Sequence, residues 1–235
     1  MKSRSRIVLC LFALVVVAGC ASTKVSDRQE LVTGKLPRPE HILVYDFVAT
    51  PADLPADSQL AGGDSGGTAQ TAEQIATGRQ LGGQIAAQLV EEIRGMGLPA
   101  ERAVIRTRPQ INDIVIRGYL LSIQEGSAAK RVAIGFGAGA SELRTAVEGY
   151  QMTAQGLRKL GSGTVDSGGS KTPGAAVPLA VAIASGNPLG LIVSSGMKVY
   201  GEASGSSTVE GRAEQTAKEI ANVLKTRFQQ QGWIQ

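Results

Sequence analysis

Apolar residues along this chain change their spacing several times, and each change marks an element. The run HILVYDF, His41 to Phe47, is short, β-branched and aromatic, which predicts a buried strand. From Ala49 to Gln70 no hydrophobic period survives. Pro51, Pro55 and paired glycines fall there instead, so a long surface loop is expected. At Thr71 the spacing becomes helical, with Ile75, Gly78, Gly82, Ile85, Leu89 and Ile93 recurring at steps of three and four on one face. Gly95 and Gly97-Leu98-Pro99 end that helix. Gly78 and Gly82 are small enough to let it sit close to a sheet.

Strand character returns in AVIRT, Ala103 to Thr107, and in DIVIRGYLLSIQEG, Asp113 to Gly126, with the turn residues 108–112 between them. KRVAIGF and SELRTAVEGYQMTAQG continue the β pattern; in the second, Leu143, Thr145 and Val147 alternate with Glu142, Arg144 and Glu148. Residues 156–175 are rich in Gly, Ser and Thr and read as another loop. The chain closes with a helix from Val209 to Gln231, whose stripe is Ala213, Ala217, Ile220, Leu224 and Phe228, stopped by Gly232-Trp233. No repeat at a fixed period is visible. The elements sum to a two-layer α+β domain, a mixed sheet of about four to six strands packed on two main helices.

The first residues follow a different logic. Lys2, Arg4 and Arg6 precede an apolar run from Ile7 to Ala18. That is the build of a signal peptide, and the run is shorter than the roughly 20 apolar residues of a spanning helix. Its end, Val17-Ala18-Gly19-Cys20, resembles the lipobox of bacterial lipoproteins, with Val17 where leucine is commonest. The resemblance implies cleavage before Cys20, acylation of that cysteine and a permanent membrane anchor. Ala21 follows, where aspartate commonly retains such proteins in the inner membrane. The expected location is therefore the periplasmic face of the outer membrane. Residues 1–19 form the signal peptide, 20–40 a lipidated cysteine and flexible tether, and 41–235 one domain. Ala21 to Glu40 is polar, ends in Pro37-Arg38-Pro39 and spans at most roughly 60 to 70 Å if extended.

Processing alters the composition. Cys10 departs and Cys20 is lipidated, so no disulfide or cysteine metal site is expected. Loss of Lys2, Arg4 and Arg6 takes the formal charge from +4 to +1, which removes the argument for nucleic-acid binding.

One stretch invites a catalytic reading. GGDSGG, Gly62 to Gly67, carries the surroundings of a protease serine, and Gly63, Ser65 and Gly67 satisfy G-x-S-x-G. A triad needs a base that reaches the serine and an acid that orients the base. The sole histidine, His41, lies shortly before Ser65, across one strand and a loop, and no histidine follows. The residues ahead of Ser65, Asp57 to Ala61, form no hydrophobic strand, and Asp-Ser-Gly-Gly recurs at Asp166 to Gly169 in the other Gly/Ser-rich segment. Ser65 is read as a loop residue, His41 as the start of a strand, and the protein as no enzyme. Asp53, Asp57 and Asp64 share a loop but lack the regular spacing of a calcium site, so no metal is expected.

Gly135, Gly137 and Gly139 give G-x-G-x-G rather than a dinucleotide fingerprint. A strand-like pattern follows where a helix should open, and no Walker lysine is present. No cofactor is expected. The segment from Ala175 to Met197 is uncharged and broken by Gly186-Asn187-Pro188. Its apolar residues Pro178, Leu179, Val181, Ile183, Leu189, Leu191, Ile192 and Val193 suit a hairpin on the domain's own core, a partner or oligomer surface, or insertion into a bilayer.

Four segments, in order, resemble the bacterial putative lipoproteins grouped as DUF4410: ILVYDF, IVIRGYLLSIQEGS, RVAIGFGAGASELRTAVEGY and EQTAKEIANVLKTRFQQQGW. The resemblance implies an envelope lipoprotein and supplies no catalytic residues. The expected role is a non-enzymatic binding or assembly module for an envelope partner. Self-association as a pore or secretion subunit, and small-molecule or glycan binding, are the alternatives.

Overall fold

Residues 23–50, 53, 71–124, 141–168, 193–194 and 208–235 are described in the computed structural model. In chain order they form β1 (Thr23–Glu30), β2 (Ile42–Tyr45), α1 (Ala72–Gly95), β3 (Ala100–Ala103), β4 (Ile114–Gln124), β5 (Glu142–Thr153), β6 (Gly156–Gly168), β7 (Val193–Ser194) and α2 (Val209–Gln231). The fold is α+β, as the pattern predicts. One mixed sheet runs β1-β6-β5-β4-β2-β3, and β7 pairs with the end of β4 beyond β2. β2 lies parallel to β3 and β4, whereas β4, β5, β6 and β1 are successively antiparallel. The Ile-Leu-Val run of β2 is buried on both faces, because Ile42 and Val44 join the core under the helices and Leu43 a smaller cluster on the other side.

Both helices cover the same face. Their apolar stripes meet Ile42, Val44, Ile116, Leu120 and Ile123 of the sheet, and Ile85, Leu89, Ala213, Ala217 and Phe228 complete that core. A capping box starts α1: the Gln74 N–H donates to Thr71 Oγ1 at 3.2 Å and the Thr71 N–H to Gln74 Oε1 at 2.8 Å. Thr208 caps α2 through the Gly211 N–H at 3.1 Å, and Gly232, at φ +77°, turns the chain out of it. Gly82 fulfils the expected close approach. Its carbonyl accepts from the Phe47 N–H at 3.2 Å, and a Cβ there would stand 2.0 Å from the Phe47 oxygen.

Three segments differ from their sequence patterns. The expected loop at 156–168 is strand β6, clamped between β5 and β1. Its Gly and Ser residues disfavour a strand in isolation, and two flanking ladders override them. The expected tether contains β1, whose inner residue Val25 faces Val165 across the ladder. A single apolar position is too weak a period to betray an edge strand. Finally, β3 is Ala100–Ala103, and Val104 to Thr107 is a turn closed by the Thr107 N–H on the Val104 oxygen at 2.8 Å. β-branched residues in that turn mimic a strand.

Candidate functional site

Beneath the C-terminal half of α2, the sheet and the helix fail to meet. On the inner face of β5 and β6 the positions that should fill the gap are Gly149, Gly161 and Gly163, with Gly149 opposite Gly161. A Cβ on Gly149 would find nothing within 4 Å, whereas one on Gly161 would strike the Gln29 carbonyl at 2.5 Å. Glycine inside a strand marks a close backbone approach or room for a ligand, and this pair does one of each. The result is a cavity of about 290 Å³. Ile114, Ile116, Val147 and Val165 floor it, Ile220, Val223, Leu224, Phe228 and Trp233 roof it, and Val25, Val32 and Leu36 close one side.

The rim is polar and tightly tied. The Arg227 guanidinium pairs with Glu30 at 2.5 Å and donates to the Val32 carbonyl at 3.1 Å. Gln231 accepts from the Leu36 N–H at 2.7 Å and donates to the Gly34 carbonyl at 3.1 Å. The Lys35 ammonium reaches the Gln230 carbonyl at 2.6 Å, and the Trp233 indole N–H reaches the Leu36 carbonyl at 3.2 Å. Residues 30–36 thus form a strap across the end of α2. Phe228 and Trp233 stack behind it with ring centroids 5.4 Å apart. Arg28 stands exposed on the rim, with no hydrogen bond or ion pair among the described residues.

The opposite face of the sheet carries the other notable constellation. Glu148, 1% exposed, accepts from the Tyr119 and Tyr150 hydroxyls at 3.0 and 2.7 Å and pairs with the Lys159 ammonium. Arg117 lies over the Tyr45 and Tyr150 rings, 5.9 and 5.5 Å from their centroids. Burial, then the Glu148 carboxylate, push the Tyr150 hydroxyl far above the usual phenol range, so it holds its proton. The carboxylate is sealed and fully bonded. Among the described residues this network ties β4, β5 and β6 together across the outer face of the sheet.

The DUF4410 domain of unknown function matches residues 42–186, well over half of the chain. The chain belongs to the DUF4410 family. Of the four segments carrying the resemblance, the last, in α2, lies beyond the matched range, yet α2 roofs the cavity. No curated protein matches this DUF4410 sequence. Among solved structures, the PelC dodecamer from Paraburkholderia phytofirmans is 12% identical with a TM-score of 0.36, covering 72% of this chain and 99% of that one. A point variant of the same dodecamer gives 13%, 0.36, 73% and 99%.

Several residues singled out in the sequence lie outside the described set: Val17, Ala18, Gly19 and Cys20; Ser65; the glycines 135, 137 and 139; and Pro178, Leu179, Val181, Ile183, Leu189, Leu191 and Ile192. Val193 is the first residue of β7 and pairs with Ile123. His41 stands one residue before β2 rather than opening it, and its Nδ1 lies 3.2 Å from Asp113 Oδ1. Asp53 is bound to Arg79 through two contacts of 2.8 and 3.0 Å, and that guanidinium holds its carboxyl below the usual range. Among the described residues no cluster of three or more metal-ligating side chains occurs, and no helix is long and apolar enough to cross a membrane. The cavity residues were not foreseen. Their signal was the alternation Gly161-x-Gly163-x-Val165 facing Val147-x-Gly149, hidden in a segment whose composition reads as loop.

Proposed function

We propose that this DUF4410 protein is a lipid-anchored, non-enzymatic protein of the outer membrane's periplasmic face, whose domain binds an apolar group in the cavity beneath α2. The cavity carries the reading. Its walls are mainly aliphatic and aromatic, and Gly149, in the middle of β5, leaves its floor open where any other side chain would project, which suits an apolar ligand. The anchor rests on the Lys2, Arg4, Arg6 and Ile7–Ala18 pattern ahead of Cys20. Only Ala21 and Ser22 separate that cysteine from β1, a reach of about 10 Å.

Two measurements test this reading. Radiolabelled palmitate supplied to cells should label the native protein and leave Cys20→Ala unlabelled. A native protein that takes up no label removes the lipid anchor from the proposal. The neutral dye N-phenylnaphthylamine should brighten with the native protein and stay dark with Gly149→Leu, which fills the cavity. Equal brightening by both proteins places the apolar site elsewhere.

A second reading, contact with an envelope partner, is favoured by one patch. Val104, Ile105 and Ile111 in the β3–β4 connection are 66%, 93% and 63% exposed. In-cell crosslinking from position 105 should yield one discrete heteromeric product. A ladder of self-products would favour an oligomer, and a bare monomer would end the partner reading.

A further inference from the structure

We infer that the cavity takes a single-chain anionic amphiphile, such as a long-chain fatty acid, with its tail under α2 and its carboxylate at Arg28. The assignment rests on the binding reading above and deepens it. The interior asks for hydrocarbon. Its walls are aliphatic and aromatic, and no buried side-chain polar atom lacking a partner lies among them. Nothing inside requires a polar ligand, and a polar ligand would lose its own hydrogen bonds there.

The size selects one tail. At about 290 Å³ the cavity sits near the lower end of small-molecule sites, roughly 300–1,000 Å³, which leaves little room for a second chain. Gly149, where even a Cβ meets nothing within 4 Å, opens the floor in the middle of a strand. Without it, a side chain from β5 would project into the space the tail fills.

The rim selects the head. Glu30 is neutralised by Arg227, which also holds the Val32 carbonyl and so closes the strap. Lys35 adds positive charge beside Gln230. Arg28 is the cation left available among the described rim residues, and its guanidinium offers paired N–H donors that match a carboxylate. The mouth therefore complements a carboxylate attached to an apolar chain.

Trp233, the protein's sole tryptophan, lines the cavity and reports its filling. The test uses the processed chain from residue 20 with Cys20→Ala, which keeps every described element and carries no acyl group of its own. A bromine-labelled saturated fatty acid should quench Trp233 saturably. Unlabelled acids of increasing length should compete about fourfold better per added methylene until the cavity is full, then level off. The primary alcohol of equal length should bind about threefold more weakly, and Arg28→Gln should erase that difference while leaving alcohol binding unchanged. Gly149→Leu and Val223→Phe should each abolish quenching while keeping a cooperative thermal transition; should one of them fail to fold, the other decides.

Equal binding of acid and alcohol by the native protein overturns the anionic assignment while the apolar-binding reading stands. Dye binding without competition by either chain overturns the amphiphile. Failure of dye and chains alike overturns both readings. Quenching that survives both cavity-filling variants puts the chain at another site.

Discussion

Phe47 shows how much of this fold hangs on single positions. Its backbone abuts Gly82 of α1, and its ring lies where a Cβ on Gly118 would stand, 2.1 Å from Cδ1. One aromatic residue thus fixes the helix-to-sheet distance through two glycines. Gly82→Ala should cost about 3 kcal/mol or more, because its methyl meets backbone that cannot swing aside, and urea unfolding would measure it. On the other face, Tyr150 sets an alkaline limit. Its folded-state pKa lies above the ordinary 10.0. The protonated hydroxyl therefore contributes fully below pH about 10 and is lost as pH rises further. Tyr150→Phe should lower neutral-pH stability by about 1 kcal/mol through the missing hydrogen bond and flatten the alkaline decline. Melting curves across that range would check the sign.

At the scale of elements, the ends matter more than the middles. The reciprocal pair of Thr71 and Gln74 satisfies two donors that α1 cannot satisfy internally. Thr71→Ala should cost about 1 kcal/mol with the fold intact, read from thermal unfolding. Past Glu30 the strap, residues 31–36, has no secondary structure of its own, and its attachment to α2 holds it over the cavity. Gln231 alone contributes two of those hydrogen bonds. Gln231→Ala should therefore cost about 2 kcal/mol. It should also speed hydrogen exchange at the Leu36 amide, leaving the β4–β5 ladder as protected as before.

At the scale of the molecule, the two ends of the sheet have different tasks. Thr23 pairs with Ser167, and Glu142 with both Gly168 and Gln124, so the chain enters the sheet at that end. The cavity rim lies toward the other, from Arg28 to the end of β1 and beyond, roughly 17 to 25 Å away. With the proposed anchor only a few residues before Thr23, the rim should face the aqueous periplasm. In bilayers of brominated phospholipid, Trp233 of the lipidated protein should keep its full emission. Strong quenching would show the domain lying with its rim in the membrane.

Much of this was legible from residues. The helical period of α1, its close-packing Gly82, the full span of α2 and the buried run of β2 all rest on local spacing, which a chain displays without its neighbours. The family likewise follows from residue order. What stayed hidden shares one cause. β1 and β6 exist because each has a partner strand. Their residues are mostly polar or small, and only the ladders joining β1 to β6 and β6 to β5 give them a conformation. The cavity is hidden for the same reason, since a glycine reads as a turn until long-range pairing lays Gly149 beside Gly161 under a helix some sixty positions later. Local spacing determined the helices and central strands of this protein. Tertiary pairing decided its edges and the space they enclose, because a void is a relation between surfaces that no single segment contains.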